Sequence, residues 1–118
     1  MVKLIYCIAK KPELSVEEFQ RYWREVHAPI AAKIPGVRRY VQCHSLPELY
    51  DKGPLAPAYD GAAEVWFDSH EAFMSAVGSA EVKAAREDET HFIDHSRSAM
   101  FFTEEEPVVG APTEPATS

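Results

Sequence analysis

The sequence predicts an α+β domain: a four-stranded antiparallel sheet in the order β-α-β-β-α-β, with both helices on one face. Three observations carry this. Four short runs rich in β-branched and aromatic residues are spread along 118 residues. Two helical repeats, each opened by a capping signature, separate the first run from the second and the third from the fourth. The strand runs are apolar on both faces, which one layer of helices cannot cover.

Val2 to Ala9 reads as the first strand, and Lys10-Lys11-Pro12 ends it. Ser15 followed by Glu18 is a capping box. Val16, Phe19, Trp23, Val26 and Ile30 then repeat at helical spacing toward Lys33. Pro29 lacks a backbone donor and is expected to kink or restart this helix. Pro35-Gly36 stops it. Val37 to His44 is the second strand. Residues 45–60 hold three prolines and a glycine and form a long loop of the kind that is often functional. Gly61 to Phe67 is the third strand. Asp68 with Glu71 is a second capping signature, opening a helix that Gly78-Ser79 interrupts and that resumes from Ala80 to about Thr90. Ser98 to Thr103 is the fourth strand. Residues 1–106 make one domain, and 107–118 are expected to be an extended or disordered tail.

Leu4, Tyr6 and Ile8 alternate with Ile5 and Cys7, and Met100 and Phe102 with Ala99 and Phe101. A soluble monomer seldom leaves such a second face open. The expected remedy is face-to-face packing with an identical chain, a homodimer. The element order favours a sheet ordered 4-1-3-2, which separates Cys7 from Cys43. Both cysteines are expected to be reduced, buried and inert.

A net charge of −7 argues against nucleic acid as a partner. No apolar run is long enough to span a membrane, and no leader pattern is recognised, so the cytoplasm is the default location. Dinucleotide, nucleotide-phosphate, redox-dithiol and serine-hydrolase motifs are missing. His91 and His95 are four apart, but the helix is ending there; a solvated polar end is favoured over a metal site, and no metal or cofactor is assigned.

His27 lies about 40° around the helical wheel from Trp23, with Ile30 at about −20° and Phe19 at about −40°. It therefore sits at the edge of the buried stripe, where an imidazole can act as acid or base or simply cap a carbonyl near Pro29. Tyr40, Gln42 and His44 share one face of the second strand. Glu64 and Trp66 share one face of the third. Together they could line a cleft that orients a phenol or enol, or form a polar patch at an edge. Tyr6 can join either set.

The run Ser15-Val16-Glu17-Glu18-Phe19-Gln20-Arg21-Tyr22-Trp23, continuing through Glu25-Val26-His27-Ala28-Pro29, resembles the EthD family. So do Pro35-Gly36-Val37-Arg38-Arg39-Tyr40, Tyr59-Asp60-Gly61, Glu64-Val65-Trp66-Phe67, and Glu87-Asp88-Glu89 with Phe92-Ile93-Asp94. The resemblance implies a ferredoxin-like monomer that pairs into a dimeric α/β barrel. It also implies chemistry without metal or flavin: decarboxylation, dehydration, cyclisation or isomerisation of a small aromatic, polyketide-like or lactone substrate. The histidine of the W-x-x-x-H-x-P motif, here His27, would shuttle the proton, with Tyr40 and His44 as donors. Tyr6, Trp23, Glu64, Trp66 and Phe92 would contact the ligand. A cofactor-free oxygenase, or an accessory to an oxidative pathway, is one alternative. A non-catalytic dimeric binding protein is another.

Overall fold

The structure is a computed structural model that describes residues 1–50, 53–54 and 56–110. Its elements are β1 (Val2–Ile8), α1 (Val16–Tyr22), a π-helical turn (Trp23–His27), α2 (Ala28–Ala31), β2 (Arg39–His44), β3 (Gly61–Phe67), α3 (His70–Val77), α4 (Ala80–Glu89) and β4 (Ala99–Thr103). The strands form one antiparallel sheet in the order β2-β3-β1-β4, the ferredoxin-like order expected.

Local chemistry sets the helix starts. Ser15 Oγ accepts from the Glu18 amide while the Glu18 carboxylate accepts from the Ser15 amide, completing the capping box. The second capping signature is corrected. The cap is Ser69, whose hydroxyl accepts from the Ala72 amide, so α3 starts one residue later than Asp68 implies. Ser79 caps α4 in the same way, which explains why the helix resumes after Gly78. Gly36 has a positive φ of 84°, the conformation that lets the chain leave α2 for β2. β2 begins at Arg39 rather than Val37.

Pro29 does restart the helix, through a π turn directly before it. The Ala28 amide bonds the Trp23 carbonyl, five residues back. Four residues overshoot a full α-helical turn by about 40° but fall short of a full π turn. The change swings His27 from the edge of the buried stripe into it. Trp23 and His27 are 1% and 5% exposed.

Register divides the sheet into two faces. Tyr6 pairs with Ala63, which pairs with Gln42, and Leu4 pairs with Val65, which pairs with Tyr40; these residues face the helices. The core there joins Tyr6, Ile8, Phe19, Trp23, Ala63, Phe92 and Ile93. Lys3, Trp66 and Arg39 align on the opposite face, as do Ile5, Glu64 and Val41. Among the described residues, no helix covers that face. It is less uniformly apolar than expected, because Lys3 Nζ pairs with Glu64 at 2.6 Å and stands 5.0 Å from the Trp66 ring. Cys43 also lies there. The residue is exposed rather than buried, but partial desolvation of its thiol against the sheet, together with Glu64, pushes its pKa up to about 11. Cys7 and Cys43 are both free.

The chain after β4 folds back along this face as far as Glu105, which accepts from the Trp66 indole at 3.2 Å. Residues 107–110 are exposed and have no regular structure, and 111–118 lie outside the described residues. In the 45–60 loop a 3₁₀ turn at Pro47–Leu49 is followed by positions 51, 52 and 55, which also lie outside them. The loop's ends are tied together: the Ser45 amide bonds the Asp60 carbonyl, and Asp60 Oδ2 accepts from the Lys10 amide at 2.8 Å.

Gly61 is where the long helix meets the sheet. A Cβ there would stand 2.5 Å from the Trp23 ring and 2.8 Å from the Cys43 carbonyl oxygen. Gly61→Ala should therefore displace the indole and destabilise the fold by about 1–3 kcal/mol, the usual range for overpacking. Urea denaturation measures this; unchanged stability would show that the ring is not seated tightly on β3.

Candidate active site

Between the helices and the sheet lies a cavity of about 1330 Å³. Its wall is mainly apolar; Tyr6 from β1, His27 from the π turn, Tyr40 from β2 and Glu89 from the end of α4 line it, and so do the charged side chains Lys83, Arg86 and Glu87 of α4. An apolar space with a few convergent polar groups is the usual form of a small-molecule site.

His27 is held from behind. Its Nδ1 lies 2.8 Å from Asp88 Oδ2, and the two side chains are 7% and 10% exposed. An ionised carboxylate can only accept, so Nδ1 carries a proton, and it is Nε2 that is left to exchange a proton with a ligand. Asp88 also accepts from the Tyr22 hydroxyl at 2.5 Å. Burial and the adjacent Asp88 push the Tyr22 phenol up to about 12, which keeps it a donor. Phe92 packs 4.9 Å from the imidazole.

A second chain of hydrogen bonds aims Tyr40. The Gln42 amide nitrogen donates to the Trp23 carbonyl at 3.0 Å and to the Tyr40 hydroxyl at 2.8 Å. Because a carbonyl can only accept, the amide orientation is fixed, and Gln42 Oε1 must face His44 Nε2 at 2.9 Å. Burial raises the Tyr40 pKa against hydrogen bonds from Gln42 and Trp23, with the Glu89 charge raising it further. Tyr40 thus keeps its proton while its oxygen already accepts, which leaves the O–H to donate into the cavity.

The structure brings Tyr6, Trp23, His27 and Tyr40 to one cavity. His44 stands one layer behind, its ring 4.4 Å from Trp23, and reaches the site through Gln42. Glu64 and Trp66 are on the opposite face of the sheet, because Glu64 pairs with Ile5 and Val41 while Tyr40 pairs with Val65. The expected Tyr–His–Glu cleft is not formed from Glu64. Phe92 is fully buried in the core behind His27, not on the cavity wall. His91 and His95 do not converge: His91 lies against Tyr22, and His95 turns back to Glu89 Oε1 at 2.9 Å.

Sequence reasoning did not single out Asp88 and Glu89 as site residues. One signal was available. They are acidic residues in the last turn of a helix, where the macrodipole disfavours negative charge. Such a placement calls for partners elsewhere, and both have them.

Residues 11–96 match the model of the EthD domain. No curated protein is similar enough to count as a relative. Among solved structures, an EthD family protein from Bacillus halodurans is 27% identical with a TM-score of 0.72, over 90% of this chain and 99% of that one. A dimeric protein of ferredoxin-like fold from Bacteroides fragilis is 19% identical with a TM-score of 0.63, over 88% and 95%. SnoaB from Streptomyces nogalater, a cofactor-independent oxygenase, is 13% identical with a TM-score of 0.64, over 93% and 97%. The last two are likenesses of fold.

Burial, and to a lesser degree Arg24, lower the His44 pKa below its ordinary 6.5. The unfolded chain then binds more protons in this range, so the stabilisation is full above about pH 6.5 and is lost as pH falls through the folded value. Between pH 7.5 and 5 the wild type should lose more stability than His44→Gln. Parallel denaturation curves across that range would show that His44 does not titrate out of place.

Proposed function

The chain belongs to the EthD domain family, and from that premise we propose that it is a cofactor-free lyase or isomerase acting by proton transfer on a small aromatic, polyketide-like or lactone substrate. The observation that carries this reading is the His27–Asp88 pair at the wall of an apolar cavity that also holds the oriented Tyr40 hydroxyl. Neutral His27 takes a proton at Nε2 from a carbon beside a carbonyl. The C–H bonding pair moves toward the carbonyl oxygen, where Tyr40 O–H donates to the developing oxyanion. Asp88 stabilises the imidazolium, as the carboxylate of a catalytic triad does. Return of the proton to another atom of the enolate gives isomerisation; expulsion of a β-hydroxyl with the C–O bonding pair, protonated by the imidazolium to leave as water, gives dehydration and restores neutral His27.

The likeness to SnoaB supports a second outcome, in which the same carbanion reacts with dioxygen. Anthrone separates the two. Under nitrogen in D₂O, the enzyme should speed exchange of the anthrone methylene protons, followed by NMR. His27→Ala should slow that exchange by ~10²-fold or more, and exchange at the wild-type rate would remove His27 from the mechanism. Enzyme-dependent oxygen uptake in air would assign the oxygenase reading. Ligand binding without exchange or uptake would leave a binding protein.

The same reading places a second copy on the uncovered sheet face, where Ile5, Val41 and Phe101 lie and Phe101 is 52% exposed. The dimeric relative from Bacteroides fragilis supports it. Phe101→Asp should convert the protein from dimer to monomer in sedimentation velocity at micromolar concentration. A monomeric wild type would overturn this arrangement.

A further inference from the structure

Asp88 and Glu89 are neighbours at the end of α4, yet they serve different sides of the cavity. Each takes one tyrosine and one histidine. Asp88 is bound by Tyr22 and His27, and Glu89 by Tyr6 at 3.2 Å and His95 at 2.9 Å. His27 is placed to move a proton, whereas the second set has a different geometry. Both partners of Glu89 converge on the same oxygen, Oε1. Its Oε2 has no partner among the described residues, and the side chain, 16% exposed, lies in the cavity wall. Tyr6, Tyr40 and Glu89 all line the cavity, and the Glu89 charge raises the pKa of both phenols.

We propose that Glu89 is a specificity-determining residue whose Oε2 accepts a hydrogen bond from a substrate hydroxyl, so that the cavity selects phenols and enols over their ethers. The inference rests on the cavity being the ligand site and deepens that reading. A carboxylate with one oxygen already held offers its other oxygen as a charge-assisted acceptor at little ordering cost. A hydroxyl donor satisfies it. An ether leaves it desolvated and unpaired, whereas a ligand carboxylate would meet Lys83 and Arg86 as well as Glu89 in the same wall. A substrate hydroxyl seated there also orients the ring between the two polar walls, Glu89 on one side and the Tyr40 donor on another.

The test uses three bicyclic probes of similar size, 2-naphthol, 2-methoxynaphthalene and 2-naphthoate, titrated at pH 7 by calorimetry into the full-length protein. The wild type should bind 2-naphthol at least tenfold more tightly than 2-methoxynaphthalene, the scale expected when a charge-assisted hydrogen bond is made or left unmade. Glu89→Gln is nearly isosteric. Tyr6 and His95 hold the oxygen side of the new amide, so its nitrogen turns to the cavity as a donor. The preference for 2-naphthol over its methyl ether should then be lost, and 2-naphthoate should bind more tightly than it does to the wild type. Glu89→Asp retains the charge and should restore part of the naphthol preference, which separates recognition from loss of folding. Tight binding with the same probe order in wild type and Glu89→Gln would overturn the assignment and leave the cavity as a ligand site. Failure of all three probes to bind the wild type would overturn the cavity reading, and this inference with it.

Discussion

The site depends on one backbone constraint, the π turn that Pro29 imposes on the long first helix. Proline cannot donate and its ring crowds the carbonyl four residues back, so a regular α-helix cannot pass through it unchanged. The chain widens by one residue instead, and Ala28 bonds to Trp23. In an ordinary helix Trp23 would be buried and His27 would sit off the stripe. In the widened turn both are buried. The Trp23 carbonyl also receives the Gln42 amide from β2, so the turn is tied to the sheet through the residue that aims Tyr40. One local irregularity thus positions the base and, through a shared carbonyl, the facing hydroxyl.

The end of α4 supplies the complementary half. A helix C-terminus disfavours anionic side chains, and two adjacent carboxylates there are costly unless donors meet them. Asp88 and Glu89 stand about 100° apart on the helix, so one turns to the first helix and the other to β1. Each finds a phenol and an imidazole. The four donors come from β1, α1, the π turn and the segment after α4. The carboxylates therefore link four parts of the fold as well as charging one cavity.

Much of this was legible in the sequence, at the levels where local chemistry decides. The Ser15 capping box, the four strands and the strand order followed from residue patterns. Of the side chains expected around one ligand, Tyr6, Trp23, His27 and Tyr40 line one cavity, and Trp66 does not. What escaped depends on rotation or register. The faces of β2 and β3 cannot be related until their pairing is fixed, and Tyr40 opposite Val65 sends Glu64 to the far side. Phe92 reads as a pocket wall only while its depth is unknown; it fills the core behind His27. Asp68 and Ser69 are both good caps, and one residue of phase decides between them. Asp88 was visible as part of a motif, but its partner His27 is 61 positions away.

The cavity itself has a packing explanation. Large aromatic groups hold the two layers apart at both ends. Phe19, Trp23 and Phe92 stack at one end, with centroids 5.5 and 5.7 Å from Phe19. Phe67, Phe73 and Phe102 pack edge to face at the other, at 5.4 and 4.8 Å from Phe73. Between them several of the lining positions are small, Ala31, Ala63, Ala76 and Ala85, among larger aliphatic residues such as Leu4, Val65 and Val77. Layers propped open at their ends and lined in part with alanine in the middle cannot close on one another, because collapse would require the aromatic clusters to overlap. An apolar space of this size would ordinarily weigh against stability. Its retention beside an oriented imidazole, a phenol and a half-occupied carboxylate is what a binding site requires: volume for a ring system, and polar atoms fixed before the ligand arrives.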